Sequence, residues 1–213
     1  MAPVSTPQWG RLEARSGTLF LVAGVLVVVY AGLHGIEAAT DMVLEPNPFE
    51  FGYVVGFLGL LGLYPAAADE SPWLARVGAV AALLGIIGLS AFTVLHLAVL
   101  AGVVAPGGPT WFWVVIPLPL IGFVVGYLAI GIASLRADVH PRMVGLLLLA
   151  PGLIVVVMLV QMLAGWTSQP QAFVISAGEA MAHLAIGATL TTKSDSDDRE
   201  LSSHGDRDVA THD

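Results

Sequence analysis

Long apolar runs, separated by short polar segments, dominate the sequence. Four stretches carry no charged side chain and a fifth carries only Glu179; they cover residues 16–36, 51–68, 77–135, 143–178 and 172–192. A transmembrane helix needs about 20 mainly apolar residues, and turn-forming residues at 105–109 and 165–170 divide the two longest stretches. The pattern predicts an all-α polytopic membrane protein, a bundle of six transmembrane helices at 17–39, 51–67, 77–104, 111–135, 143–164 and 171–191.

The distribution of basic side chains supports this topology. Six crossings put the N-terminus, the second and fourth loops and the C-terminal tail on one side of the membrane. All eight basic residues fall in these four segments: Arg11, Arg15, Arg76, Arg136, Arg142, Lys193, Arg199 and Arg207. Because cytoplasmic loops are enriched in Lys and Arg, we expect a multi-pass protein of the cytoplasmic membrane with both termini in the cytoplasm.

The first helix is predicted to be retained rather than removed as a signal peptide. Its apolar run is longer than the core of about 7–15 residues that a signal peptide has, and it contains His34 and Glu37 before any small-residue cleavage site. The chain is therefore divided into a cytoplasmic segment at 1–16, a transmembrane domain at 17–192 and an acidic cytoplasmic tail at 193–213. The tail has little apolar content and is predicted to be disordered.

The composition excludes several classes of protein. Hydrophobic residues make up 56% of the chain and charged residues 11%, with a mean hydropathy of +0.84. A water-soluble domain carries about 25% charged residues, so this chain cannot cover a water-facing surface. The formal net charge of −8 argues against nucleic acid as a partner. The absence of cysteine excludes disulfides, thiolate metal sites and covalent haem attachment.

The polar segments have a distinctive composition as well. They are acidic and contain one lysine against seven arginines, and Leu63-Tyr64-Pro65 precedes Asp69-Glu70 and Trp73. In these features the chain resembles small, biochemically uncharacterised polytopic membrane proteins of haloarchaea. The resemblance implies a halophilic, archaeal membrane protein, and it brings no catalytic residues with it.

A short pattern recurs in three of the predicted helices. Gly52-Tyr-Val-Val-Gly56 matches Gly122-Phe-Val-Val-Gly126, and Ala172-Phe-Val-Ile-Ser176 is a weaker copy. The recurrence suggests three helical hairpins in the same orientation, although apolar sequences also match by chance. Glycines four apart let two helices approach closely. They can do so within one bundle or between copies of the chain, so a homo-oligomer is an open prediction.

Polar side chains inside the predicted helices concentrate in one half of the membrane. His34 and Glu37 share a helix face, and so do Glu179 and His183. With a rise of about 1.5 Å per residue, His183 falls near the middle and five side chains fall in the outer half: His34, Glu37, His96, Gln161 and Glu179. We therefore predict a polar cavity in the outer half of the bundle. The tyrosines at 30, 53, 64 and 127 are interpreted as packing residues.

Two cofactor hypotheses use these residues. His34 and His96, at similar depth, have the residue type and position of axial ligands for a haem b between the first and third helices. A zinc or iron site would draw imidazole and carboxylate ligands from a wider set, namely His34, Glu37, His96, Glu179 and His183. No arginine lies on the predicted outer side to hold haem propionates, and no HExxH motif is present.

Two further interpretations stay open. The carboxylates and histidines suit a proton- or ion-coupled transport path, although the inner half has few polar residues. They suit interhelical hydrogen bonds equally well. No catalytic residue is identified, so the leading expectation is a structural or binding membrane protein without enzymatic activity. A small transporter is the second expectation, and a haem- or metal-binding membrane enzyme is the third.

Overall fold

The computed structural model describes residues 7–40, 42, 48–105, 114–137, 141–166 and 168–209, of which 7, 8, 137, 169 and 193–209 are described by their backbone alone. Every regular element in these ranges is helical, which confirms the predicted all-α class. The α-helices are α1 (Pro7–Thr40), α2 (Phe51–Gly62), α3 (Tyr64–Glu70), α4 (Pro72–Leu100), α5 (Pro117–Ile121), α6 (Leu128–Ala137), α7 (Arg142–Leu163) and α8 (Gln169–Val209). A 3₁₀ turn at Pro48–Glu50 precedes α2, and a π-helical turn at Gly122–Tyr127 joins α5 to α6.

Five helical segments in the described ranges are long and apolar enough to cross a membrane. They are Trp9–Thr40, Pro72–Leu100, Pro117–Arg136, Arg142–Leu163 and Pro170–Thr192. A sixth crossing forms if Pro48–Gly62 and Tyr64–Glu70, which meet at an angle of 40°, act as one bent segment. The helices are therefore compatible with a multi-pass membrane protein of five or six crossings.

The second predicted helix, 51–67, is interrupted. α2 ends at Gly62, and α3 begins at Tyr64 with Pro65 in its first turn. Proline lacks an amide hydrogen and clashes with the turn before it inside a helix, whereas it fits the first turn of a new helix. The prediction of one continuous helix is wrong at this point, because Pro65 starts a new helix in a different direction.

Three other helices differ from the predicted lengths. α1 begins at Pro7 instead of residue 17, since proline is accepted in a first turn. The helix predicted at 111–135 begins at Pro117, and residues 106–113 lie outside the described ranges. The backbone of α8 is helical as far as Val209, where the sequence predicts a disordered tail from residue 193. No proline lies between 171 and 209 to end this helix.

The helices pack in a closed order around one core. α1 packs against α2 and α8, α2 against α4, α4 against α5 and α6, and α7 completes the ring between α6 and α8. One end of the bundle is defined by a cavity that residues from six segments line. Three helices end there, namely α1, α4 and α7, and three segments begin there, namely the Pro48–Glu50 turn, α5 and α8. We call this end the distal end. The arginines with described side chains lie toward the opposite end: Arg11, Arg15, Arg76, Arg136 and Arg142.

Glycines allow the helix backbones to meet. A Cβ atom at Gly187 of α8 would lie 2.7 Å from the backbone nitrogen of Leu21 in α1, and one at Gly122 would lie 2.7 Å from Cα of Gly85 in α4. Both distances are too short for a side chain, so these contacts require glycine. Gly52 of the recurring pattern packs against α1 in the same way. These glycines are engaged inside one bundle, and both the hairpin repeat and the homo-oligomer stay predictions.

Candidate functional site

The distal end contains a cavity of about 360 Å³. Its polar wall is formed mainly by Tyr30, His34, Glu50, Tyr53, Ser176 and Glu179. Its apolar wall includes Leu89, Leu120, Phe123, Val155, Met158 and Met162. Small-molecule sites in proteins typically measure about 300–1,000 Å³ and combine apolar walls with a few polar groups. The cavity therefore has the size and lining of a site for a small ligand.

Glu179 of α8 presents a buried carboxyl group to this cavity. The residue is 4% exposed, and the hydroxyl of Tyr53 donates a hydrogen bond to its carboxylate. No arginine or lysine lines the cavity within the described part of the chain. A carboxylate is costly to bury unless it is paired and hydrogen-bonded. This position therefore favours either the neutral acid or a cation beside the carboxylate.

One turn further along α8, His183 and Tyr127 form a hydrogen-bonded pair. His183 is completely buried, and its Nδ1 lies 2.7 Å from the backbone carbonyl oxygen of Glu179. Because a carbonyl can only accept, Nδ1 carries a proton and donates it. The neutral ring then accepts at Nε2 from the hydroxyl of Tyr127, which is 2.7 Å away. Both ring nitrogens of His183 are thus satisfied within the protein.

Aromatic rings from α2 and the π-helical turn surround this pair. The ring centroids of Tyr53 and Phe123 are 5.1 Å apart, and those of Phe57 and Tyr127 are 5.4 Å apart. These residues follow the corresponding glycines of the recurring pattern on the second and fourth predicted helices. A π-helical turn is rare and is often found at functional sites. Here it carries both Phe123 and Tyr127 into the core.

Two contacts between histidine and glutamate lie beside the cavity. Nδ1 of His34 is 2.7 Å from Oε2 of Glu37, three residues further along α1. Nδ1 of His96, on α4, is 2.8 Å from Oε1 of Glu50, in the turn that precedes α2. The first contact is local to one helix, whereas the second connects two segments of the bundle. Together they place an imidazole beside two of the acidic side chains at the distal end.

The five side chains of the predicted outer cluster all lie at the distal end, but they do not form one shell. His34 and Glu179 line the cavity directly. The other three contact residues that line it: Glu37 with His34, His96 with Glu50, and Gln161 with Gln171. His183 lies beneath the cavity and does not line it.

Sequence reasoning missed three residues of this site. Glu50 precedes the predicted second helix by one position and is therefore assigned to a loop, yet it is buried and lines the cavity. Tyr53 and Tyr127 are interpreted from sequence as packing residues, whereas their hydroxyls hydrogen-bond Glu179 and His183. The only signal for them is their place in the recurring pattern.

The geometry also bears on the two cofactor hypotheses. Across the part of the chain that the structure describes, no group of three or more His, Asp or Glu side chains is arranged to hold a metal ion. At the distal end the Pro48–Glu50 turn packs against both α1 and α4, the two helices assumed to flank a haem. Glu50 of this turn contacts His96. The arrangement of these side chains therefore lends no support to the haem and metal hypotheses.

Comparisons of the chain with protein-family models, with curated proteins and with solved structures found no match. The class of protein follows from the fold: the apolar helices are compatible with a multi-pass membrane protein.

Proposed function

We propose that this multi-pass membrane protein binds, in the distal cavity, a small molecule that has a cationic amine group and an apolar body. The observation that carries the proposal is the buried carboxyl group of Glu179 in the wall of a mainly apolar cavity. The proposed activity is binding without chemical conversion. This proposal agrees with the leading expectation from the sequence, a structural or binding membrane protein.

The charges around the cavity favour a cation. Glu50 and Glu179 line it, and His34 is the one basic side chain in the described lining. Glu50 contacts an imidazole, whereas Glu179 is hydrogen-bonded by the neutral hydroxyl of Tyr53. A primary ammonium group has three donors, and hydrogen bonds between charged groups are stronger than neutral ones. An amine beside Glu179 would therefore supply the missing opposite charge.

The remaining wall suits an apolar body attached to that amine. The rings of Tyr30, Tyr53 and Phe123 line the cavity, and aromatic faces attract cations that have lost their water. Met158 and Met162 lie on the same wall. Methionine side chains adapt to ligands of irregular shape. The wall is thus suited to alkyl or aryl amines more than to small inorganic cations.

Sidedness supports access to the cavity from outside the cell. The arginines with described side chains lie toward the end opposite the cavity, and basic residues are enriched on the cytoplasmic side of membrane proteins. In this orientation the distal end faces the exterior, as the sequence predicts for the outer half of the bundle.

Equilibrium dialysis of radiolabelled hexylamine, hexanol and hexanoate against the purified protein in nanodiscs tests the proposal. We expect hexylamine to bind more tightly than the other two. Glu179→Gln should weaken the binding of hexylamine by about 10- to 100-fold, because a hydrogen bond to a charged group contributes about 1.5–3 kcal/mol. The matched control is Glu70→Gln, an exposed glutamate on α3 away from the cavity, which should leave binding unchanged.

A second pair of variants locates the site. Met158→Trp fills the cavity, whereas Val160→Trp places the same ring on an exposed face of α7. Hexylamine binding should be lost in the first variant and retained in the second. Equal affinity for all three hexyl compounds, or unchanged binding in Met158→Trp, would contradict the proposal.

Proton-coupled transport is the alternative, and the Tyr127–His183 pair favours it because it extends polar side chains below the cavity. Uptake of labelled hexylamine into proteoliposomes under a pH gradient tests this alternative. Uptake that is abolished by Glu179→Gln would support a transporter. Binding without any uptake would show that the protein binds the amine but does not transport it.

A further inference from the structure

A groove runs along the outside of the bundle between α7 and α8. Its volume is about 610 Å³, and its apolar lining includes Leu153, Ile154, Val157, Val174 and Ile175. Val157 and Val174 are 54% and 65% exposed, so the groove opens on a face that would contact lipid. An apolar groove on such a face can hold a chain that is dissolved in the bilayer.

The groove adjoins the distal cavity. Ser168, Gln171 and Ile175 line both spaces. At their boundary the side-chain amide of Gln171 donates a hydrogen bond to the side-chain carbonyl of Gln161, which lines the groove. This bond is a polar contact between α7 and α8 in a region that is otherwise mainly apolar.

We propose that the groove is a lateral entrance from the bilayer and that the Gln161–Gln171 contact is its latch. The ligand is then a single-chain amine amphiphile, with its ammonium group beside Glu179 in the cavity and its alkyl chain in the groove. This inference rests on the proposed binding function and narrows its ligand to a membrane-dissolved class.

The latch has the chemistry that a gate in the membrane requires. Hydrogen bonds between amide side chains of membrane helices are weak on average, because each group finds other polar atoms when the bond opens. The backbone N–H of Ser168 donates a hydrogen bond to the side-chain carbonyl of Gln171, so this side chain keeps one partner when its contact with Gln161 opens. We expect passage of a chain to begin with rotation of these two glutamine side chains.

Chain length provides the first test. Butylamine fits in the cavity alone, whereas the chain of dodecylamine extends into the groove. Val157→Trp fills the groove, and Val160→Trp is the control on the same helix, since it is exposed and outside the groove. We expect Val157→Trp to weaken dodecylamine binding in nanodiscs by about tenfold, because the added ring overfills the space that the alkyl chain takes. Butylamine binding should not change.

A removable cross-link provides the second test. The chain has no cysteine, so Gln161→Cys/Gln171→Cys can be joined selectively by a short bis-methanethiosulfonate. We expect the link to slow binding of dodecylamine by at least about tenfold more than it slows binding of butylamine, and a reductant to restore the rate. The two single-cysteine variants treated with the same reagent are the controls. If the double variant does not fold, the comparison of the two amines in Val157→Trp still tests whether the groove is the entrance.

The outcomes separate the two proposals. If neither amine binds the wild-type protein, the binding function fails and this inference fails with it. If both amines bind and both are lost in Met158→Trp, the cavity is the site. In that case, the lateral entrance would be wrong if Val157→Trp changed the affinity for both amines equally and the cross-link slowed their binding equally. The binding function itself would stand.

Discussion

Nδ1 of His96, near the end of α4, lies 2.8 Å from Oε1 of Glu50, in the turn before α2. This contact ties the end of one predicted span to the beginning of another and holds Glu50 at the cavity. The His96 side chain is 25% exposed, so solvent weakens its attraction to Glu50. The contact therefore orients a cavity residue more than it stabilises the fold.

A double-mutant cycle measures this contact. We expect Glu50→Leu and His96→Leu to show a coupling free energy of about 0.2–1 kcal/mol in the free energy of unfolding, since the two side chains are in direct contact and solvent weakens their attraction. The measurement is SDS titration of the purified protein. Glu50→Leu combined with Thr40→Ala, which removes an exposed hydroxyl on α1, should be additive. Coupling of zero between Glu50 and His96 would show that the contact does not form.

The Tyr127–His183 pair should stabilise the core. Tyr127→Phe removes the donor to Nε2 of a completely buried imidazole, and a buried group left without a partner costs about 1–3 kcal/mol. We expect a matching fall in the free energy of unfolding. Tyr64→Phe, which changes a partly buried tyrosine on α3, is the control and should have a smaller effect. Equal effects of the two substitutions would argue against the hydrogen bond.

Because α1 packs closely against α8, substitution by alanine is expected to change the stability in opposite directions at two glycines. Gly187→Ala places a Cβ atom 2.7 Å from the backbone of α1, and overpacking of this kind costs about 1–3 kcal/mol. At Gly32, on α1, a Cβ atom would meet nothing within 4 Å. Gly32→Ala should therefore be neutral or raise stability by up to about 1 kcal/mol, because alanine favours helix. Thermal unfolding in detergent compares the two variants, and a lower midpoint for Gly32→Ala than for Gly187→Ala would contradict the helix interface.

Much of the helical architecture follows from the sequence because hydropathy sets it. The predicted helices at 77–104 and 143–164 correspond to Pro72–Leu100 and Arg142–Leu163. Hydropathy does not show where a helix axis changes direction. It therefore predicts one helix across Leu63, where Pro65 begins a new one.

The site is less predictable, because its contacts join residues far apart in the chain. Helical depth is enough to predict that His34 and Glu179 lie at the same end of the bundle. It cannot predict that the hydroxyl of Tyr127 meets Nε2 of His183, since that contact reaches across the core between the π-helical turn and α8, 56 residues apart in the chain. Glu50 is missed for a related reason: a charged residue in a loop becomes a cavity residue only when the loop folds back against α4.

Site-directed labelling tests the central claim, an amine-binding cavity that opens at the distal end and faces outward. Ala172→Cys introduces the only thiol of the chain on the cavity wall, and Trp73→Cys places one at the opposite end, where Trp73 is exposed. A membrane-impermeant cationic methanethiosulfonate is added to intact cells with and without hexylamine. We expect Ala172→Cys to react from outside and to be protected by hexylamine, and Trp73→Cys to react only after permeabilisation. Reaction of Ala172→Cys only after permeabilisation, or with no protection by hexylamine, would contradict the account.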